Sequence, residues 1–201
     1  MKNGLIVSIS GPSGVGKGTV IDKLREMFPE LGRSISVTSR PPRGQEQDGV
    51  EYYFRSKEEF EKLIEEGEII EYDQYVGNYY GTPLTPLLTM SRGGQSVLLD
   101  LTVAGSVALQ EKFDETVTIF LLPPSLDELR GRLSGRGTES AELVEKRMAE
   151  AKGEIAQAAK FDYVVTNYEV EQAAAEIAAI MQAENCRYER CSDAVDTLLA
   201  Q

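Results

Sequence analysis

Five short apolar runs separated by helical periodicities set the architecture of this chain. Leu5–Ile9 is β-branched and almost uninterrupted, which reads as a buried strand. Val20, Ile21, Leu24 and Phe28 then fall on one face of a helix. Ser34–Thr38 reads as a second strand and ends in a Pro/Gly-rich stretch that cannot be helical. A short strand is expected at Glu51–Phe54. Ser56 and Glu59 then form a capping-box signature for a helix with Phe60, Leu63 and Ile64 inward. Gly67 ends that helix, Ile69–Tyr72 is extended, and Tyr75–Pro86, rich in turn formers and aromatics, reads as a loop or hairpin.

Val97–Leu101 and Thr116–Leu122 are two further buried strands, the latter stopped by Pro123 and Pro124. Ser125 with Glu128 makes a second capping box, Ser140 can cap a long alanine-rich helix to about Lys160, and Tyr163–Thr166 is the last strand. From Glu169 an amphipathic helix follows, with Ala173, Ile177, Ile180 and Met181 on its buried face; beyond Cys186 the pattern either extends that helix or adds a short one. Non-alternating strands between helices predict an α/β fold with a mostly parallel five-stranded sheet covered on both faces. Ligands belong at the C-terminal edge of such a sheet. The stretch 36–86 breaks the alternation and reads as an inserted lobe.

Composition narrows the chemistry. A length of 201 residues suits one core with inserted lobes, and 41% hydrophobic content is ordinary for a globular chain. No apolar run approaches membrane-spanning length, and the N-terminal residues enter the first strand too soon for a signal peptide. A cytoplasmic protein with no membrane partner is expected. The net charge of −12 repels nucleic acid, so anionic ligands must be met by local basic clusters. Histidine is absent, which excludes imidazole acid–base catalysis and His-ligated metals. The two cysteines, Cys186 and Cys191, match no zinc framework and read as reduced thiols.

Against this background the segment joining the first strand to the first helix stands out. Gly11, Pro12, Ser13, Gly14, Val15, Gly16, Lys17, Gly18 and Thr19 lie between strand and helix, the setting a phosphate-cradling loop needs. The glycines let backbone N–H groups turn inward, the helix N-terminus adds partial positive charge, and Lys17 brings a mobile full charge. The competing reading is an ordinary glycine-rich turn. Arg40 and Arg43 sit among stiffening prolines with Tyr52, Tyr79 and Tyr80 nearby, which suits an anion clamp; solvated loop arginines are the plain alternative. Arg130, Arg132 and Arg136 precede Arg147 across a glycine-hinged turn, an arrangement suited to a mobile lid over a transferring phosphoryl group.

The segments GPSGVGK, TSRPPRGQE, GNYYGT, LLD, LLPPS and RLSGRGTES, together with Glu71 and Arg147, occur in the order and spacing of guanylate kinases. The resemblance spans roughly Leu5 to Glu184. It implies a P-loop kinase with a core (1–35, 87–126 and 158–201), a GMP-binding lobe (36–86) and a lid (127–157). The reaction implied is transfer of the γ-phosphoryl group of ATP to GMP, or dGMP, giving ADP and GDP with Mg²⁺. By position, the resemblance assigns the ATP phosphates to residues 11–19, with Arg132 and Asn167 on the nucleotide's far side, and the metal to Thr19 and Asp100. It assigns the GMP phosphate to Arg40, Arg43, Tyr52 and Tyr80, the guanine to Ser36, Glu71 and Thr82, and further acceptor-side roles to Glu46 and Asp100. Transfer itself falls to Lys17, Arg40, Arg136 and Arg147.

A carboxylate can accept from both N1–H and the 2-amino group of guanine, whereas adenine offers neither donor, so Glu71 suits guanine selection. Some positions depart from the family pattern. Thr102 replaces a second Asp that in the family helps hold GMP, Ala104 replaces a Gln, Gly44 is displaced within RGQE, and Tyr168 follows Asn167 where an Asp is usual. Related readings are a P-loop kinase for another nucleoside monophosphate or ribose 1,5-bisphosphate, and a non-catalytic phosphopeptide-binding module of the same fold. The expected state is a monomer or homodimer.

Overall fold

β1 (Ile6–Ser10) is buried along its whole length and lies in the middle of a five-stranded sheet. The order is β2 (Gly32–Arg33), β7 (Val97–Asp100), β1, β8 (Thr116–Leu122) and β9 (Tyr163–Thr166), and every pairing is parallel. This computed structural model describes residues 2–75, 77–134 and 141–201. Leu5, Val7 and Ile9 pack on one face with Val20, Ile21 and Leu24 of α1 (Lys17–Met27) and Ala173, Ala174 and Ile177 of α7 (Val170–Asn185). Ile6, Val97 and Leu99 pack on the other face with Leu87 of α3 (Leu84–Arg92) and Leu109 of α4 (Val103–Lys112). The period-two alternation of β1 thus supplies both halves of the core. From β1 the chain goes to the edge strand β2, returns to β7 beside β1 and then crosses to β8 and β9 on the other side, so the loops leaving the C-terminal end of β1 open a crevice at that reversal.

A second, four-stranded sheet lies between β2 and α3 in the sequence. Its order is β4 (Tyr53–Phe54), β3 (Val37–Thr38), β6 (Asn78–Pro83) and β5 (Ile69–Tyr75), and β5–β6 is an antiparallel hairpin. α2 (Lys57–Glu65) begins with the expected capping box: Ser56 accepts from Glu59 N–H while the Glu59 carboxylate accepts from Ser56 N–H. Phe60 is fully buried against Val37 and Ile69, with Leu63, Ile64 and Tyr79 packed around it, which gives this lobe its own small core.

Three sequence expectations are corrected. Ser34–Thr38 is not one strand: Gly32–Arg33 pairs with β7, while Val37–Thr38 pairs with β6 in the other sheet, so residues 34–36 are the crossing. The 75–86 segment is a hairpin only as far as Pro83. α3 starts at Leu84, and Pro86 is accommodated because first-turn N–H groups have no helical acceptor. α6 (Ala141–Ile155) stops short of Lys160, which belongs to a separate 3₁₀ turn, Ala158–Lys160; its expected cap, Ser140, lies outside the described residues. The tail beyond Cys186, read either as an extension of α7 or as a further helix, is the latter: α8 (Tyr188–Leu199), which keeps every side chain at least partly exposed. Cys186 and Cys191 are free.

Candidate active site

Residues 11–16 join β1 to α1 at the C-terminal edge of the sheet. Gly11 passes so close to β8 that a Cβ there would lie 2.4 Å from the Leu121 carbonyl oxygen. Gly16 is the N-cap of α1 with φ +99°, and a Cβ would come within 2.8 Å of Asn167 Nδ2. α1 has no side-chain cap and no acid in its first turn, so its leading N–H groups are available to an anion. Val15 is fully buried. Its carbonyl accepts from Arg132 Nη1 and from Asn167 Nδ2, both at 2.9 Å. Arg132 is held in turn by Glu128 Oε1 at 2.5 Å and the Asn167 carbonyl at 3.3 Å. The two residues expected on the nucleotide's far side are therefore also the brace of the loop.

Lys17 Nζ donates to the Gly11 carbonyl at 3.0 Å and lies 3.8 Å from Asp100 Oδ1 at the end of β7. Burial pushes the Asp100 carboxyl above its ordinary range, with Lys17 and then Arg25 opposing. Thr19 is exposed on the first turn of α1, and open space surrounds the position a Cβ would take at Gly18. Among the described residues no cluster of three or more Asp, Glu, Cys or His could hold a metal. Thr19 and Asp100 supply only two oxygen-bearing side chains, which fits a Mg²⁺ that keeps waters and is shared with phosphate oxygens, rather than an ion caged by protein alone.

Two groups reach the loop from α6. Arg147 Nη2 donates to Ser13 Oγ at 2.6 Å. The Glu154 carboxyl is held up by burial, against the pull of Lys17 and of the nearby Ser13 backbone. Glu154 was not legible in the sequence, since a glutamate in an alanine-rich helix carries no signal of its own. Arg136 lies outside the described residues.

The lobe carries the second cluster. Arg40 is only 6% exposed, and its two terminal nitrogens donate to the two Glu46 oxygens at 2.8 and 3.0 Å. Glu46 also accepts from Arg43 N–H at 2.7 Å, so it is held in place by the same loop it organises. The Arg40 guanidinium lies 5.4 Å from the Tyr52 ring centroid and 5.7 Å from that of Phe54, with the Tyr80 hydroxyl beside it. Its pKa is raised, first by the Glu46 hydrogen bond, while Glu46 is lowered by the same bond. Along β6 the alternation sends Tyr79 into the lobe core and leaves Tyr80 on the opposite face, its ring 6.0 Å from Tyr52. Thr82 is buried, and Ser36 is half-buried where the chain crosses between sheets. Arg43 is exposed.

Glu71, on β5, joins the lobe to the core. Its Oε2 accepts from Thr102 Oγ1 at 2.5 Å and Thr102 N–H at 3.1 Å. Burial raises its pKa; the Thr102 bonds and Lys17 oppose that shift, and Asp100 reinforces it. Lys17, Asp100, Thr102 and Glu71 thus form one connected neighbourhood. A cleft of about 380 Å³ at the opposite edge of the sheet, beside Tyr163, Glu184 and Arg187, stands apart from it.

A family model described as Guanylate kinase matches residues 3–184. The guanylate kinase of Halalkalibacterium halodurans is 49% identical over 94% of this chain and 93% of its own length. That of Lactococcus lactis is 47% identical over 94% and 92%. Among solved structures, the crystal structure of guanylate kinase from Anaplasma phagocytophilum aligns with a TM-score of 0.71 at 34% identity, covering 94% of this chain and 90% of that one.

Proposed function

The chain belongs to the guanylate kinase family and is a kinase passing the γ-phosphoryl group of ATP to GMP; we propose that it does so with the two clusters described above. Lys17 and the amides of residues 11–19 grip the β- and γ-phosphates of ATP. Thr19 and Asp100 would hold a Mg²⁺ arriving with the nucleotide, and that ion would supply neutralisation of phosphate charge. Arg40, Arg43, Tyr52 and Tyr80 fix the phosphate of GMP, with Glu46 as the support of Arg40. Ser36, Glu71 and Thr82 read the base. The acceptor is already an anion, so no general base is required, and the protein contributes alignment and charge stabilisation. Arg147, with Arg136, completes the positive surround of the transferring group.

The observation that carries this reading is the link from Glu71 through Thr102 to the strand end where Asp100 meets Lys17. It joins a carboxylate suited to a base and an ammonium suited to phosphate within one crevice. The matched relatives do not favour the readings with another acceptor or without catalysis. No described helix is long and apolar enough to cross a membrane, and we take the protein to act in the cytoplasm, as monomer or homodimer, on ATP/ADP and GMP/GDP.

The test is a panel of acceptors with Mg–ATP: GMP, dGMP, AMP, CMP, UMP and ribose 1,5-bisphosphate. GMP turnover well above the other ribonucleotides is the expected result. Preferred turnover of another acceptor would overturn the assignment, and failure to bind ATP by calorimetry would revive the non-catalytic module.

A further inference from the structure

Besides the helical bond that its carbonyl accepts from Ser106 N–H, Thr102 makes three hydrogen bonds at the start of α4. Its hydroxyl donates to Glu71 Oε2 at 2.5 Å and accepts from Gly105 N–H at 3.0 Å, and its own N–H donates to the same Glu71 oxygen at 3.1 Å. A hydroxyl has one proton, and here that proton is committed to Glu71. The opposite wall is Gly105, where a Cβ would lie 2.0 Å from Glu71 Oε2 and 2.5 Å from its Cδ. The carboxylate is therefore seated between a donor pair and a bare backbone, with one oxygen engaged. Among the described residues Oε1 takes no hydrogen bond and is the oxygen left for a ligand.

We propose that Thr102 is the positioning residue of the base site: it locks Glu71 in one orientation, with Oε1 presented to the acceptor base. The proposal rests on the reading of the chain as a GMP kinase. A rotatable carboxylate on a lobe strand loses side-chain entropy each time it engages a base; a carboxylate already fixed does not. The capping bond to Gly105 fixes the hydroxyl in turn, so the orientation of Glu71 is inherited from the backbone of α4. Glu71 is thereby the one carboxylate held against the base, where two stand in the family pattern. With both lone pairs of Oε2 taken by Thr102, the second donor of guanine must share Oε1 or go to the neutral Thr102 hydroxyl, which accepts less strongly than a carboxylate.

The experiment compares Thr102→Val, Thr102→Ser and Gly105→Ala with the parent protein, using GMP and IMP as acceptors. Thr102→Val keeps the shape and removes the donor. It is expected to raise the KM for GMP about tenfold or more, the range for a hydrogen bond to a charged group. The kcat should stay within about twofold, and the KM for ATP should not move. Thr102→Ser restores the hydroxyl and should return the GMP KM to within about threefold of the parent. Gly105→Ala leaves Thr102 intact but pushes the carboxylate out of its seat, so it should raise the GMP KM as well. IMP, which lacks the 2-amino group, should suffer less from Thr102→Val than GMP does.

An unchanged GMP KM in a folded Thr102→Val protein overturns the proposal. So does a fall in thermal stability with both substrates affected alike, which would make Thr102 a helix cap and nothing more. A parent protein that does not phosphorylate GMP would instead defeat the kinase reading, and this inference with it.

Discussion

Arg40 and Arg132 each pair with a glutamate, at the two clusters proposed to meet phosphate, yet they are built to opposite plans. Arg40 is closed in: both terminal nitrogens are engaged by Glu46, and aromatic rings stand beside the guanidinium. Arg132 is partly open, anchored by Glu128 one turn earlier, and points at a backbone carbonyl of the loop. The first arrangement presents a side chain whose position is fixed before any anion arrives. The second holds a main chain, so that amides do the binding. Amides recognise phosphate whatever base it carries, whereas the fixed side chains of Arg40 and Glu71 impose a shape. On the proposed assignment, selectivity therefore belongs to the lobe, and grip to the loop.

Removing the ammonium strikes the grip hardest. Lys17→Ala is expected to lower kcat by a factor on the order of 10³, the scale of losing a group that meets developing charge, and near-normal turnover would sink its role. Next comes the lobe. Arg40→Lys keeps the charge but cannot reproduce the two-pronged pairing with Glu46. The kcat/KM for GMP should drop by roughly two orders of magnitude while ATP binding by calorimetry stays as it was.

Glu71→Gln keeps the size and loses the charge. The KM for GMP should rise about tenfold, with the thermal midpoint nearly unchanged; an unaltered KM would remove Glu71 from the base site. Smaller still is the effect of Arg132→Ala, which leaves the Val15 carbonyl with Asn167 as its one remaining side-chain donor. The KM for ATP should rise by roughly threefold to tenfold and that for GMP should not, the reverse of Glu71→Gln. If both arginine variants moved the same substrate, the division between grip and selectivity would fail.

Acid sharpens the same division. Burial holds the Glu71 carboxyl above the ordinary glutamate range, and only its ionised form accepts from two donors. GMP affinity should therefore be full above the raised pKa and fall away as pH drops through it, earlier than for an exposed glutamate. A titration of the GMP KM against pH checks this, with Glu71→Gln as the control that flattens the Glu71 component.

Much of the core was legible because its signals are local. The β1–loop–α1 unit, the five-stranded sheet and the Ser56–Glu59 cap all follow from periodicity and neighbouring residues. What escaped depends on distant partners. Val37 and Thr38 read like part of the preceding run, and only pairing with Gly81 and Tyr80 assigns them to the other sheet. Pro83 and Pro86 look like turn residues, although proline also suits the entry to a helix. Among the site residues, Arg40 and Arg43 stood out within one proline-stiffened loop, but the pairing of Arg40 with Glu46 did not, since the resemblance gave Glu46 only an acceptor-side role. Thr102 showed only as a departure from the family pattern. Its partner is Glu71, 31 residues away, and such a contact leaves no periodicity behind.

The tail helix α8 has a practical consequence. Its start lies beside Lys2 and the beginnings of β8 and β9, at the edge of the sheet remote from the crevice. A fluorescent domain or surface tether attached to the end of α8 would load a helix that has no fully buried side chain. The protein could then be immobilised with its crevice facing away from the support, and nucleotide turnover followed on single molecules.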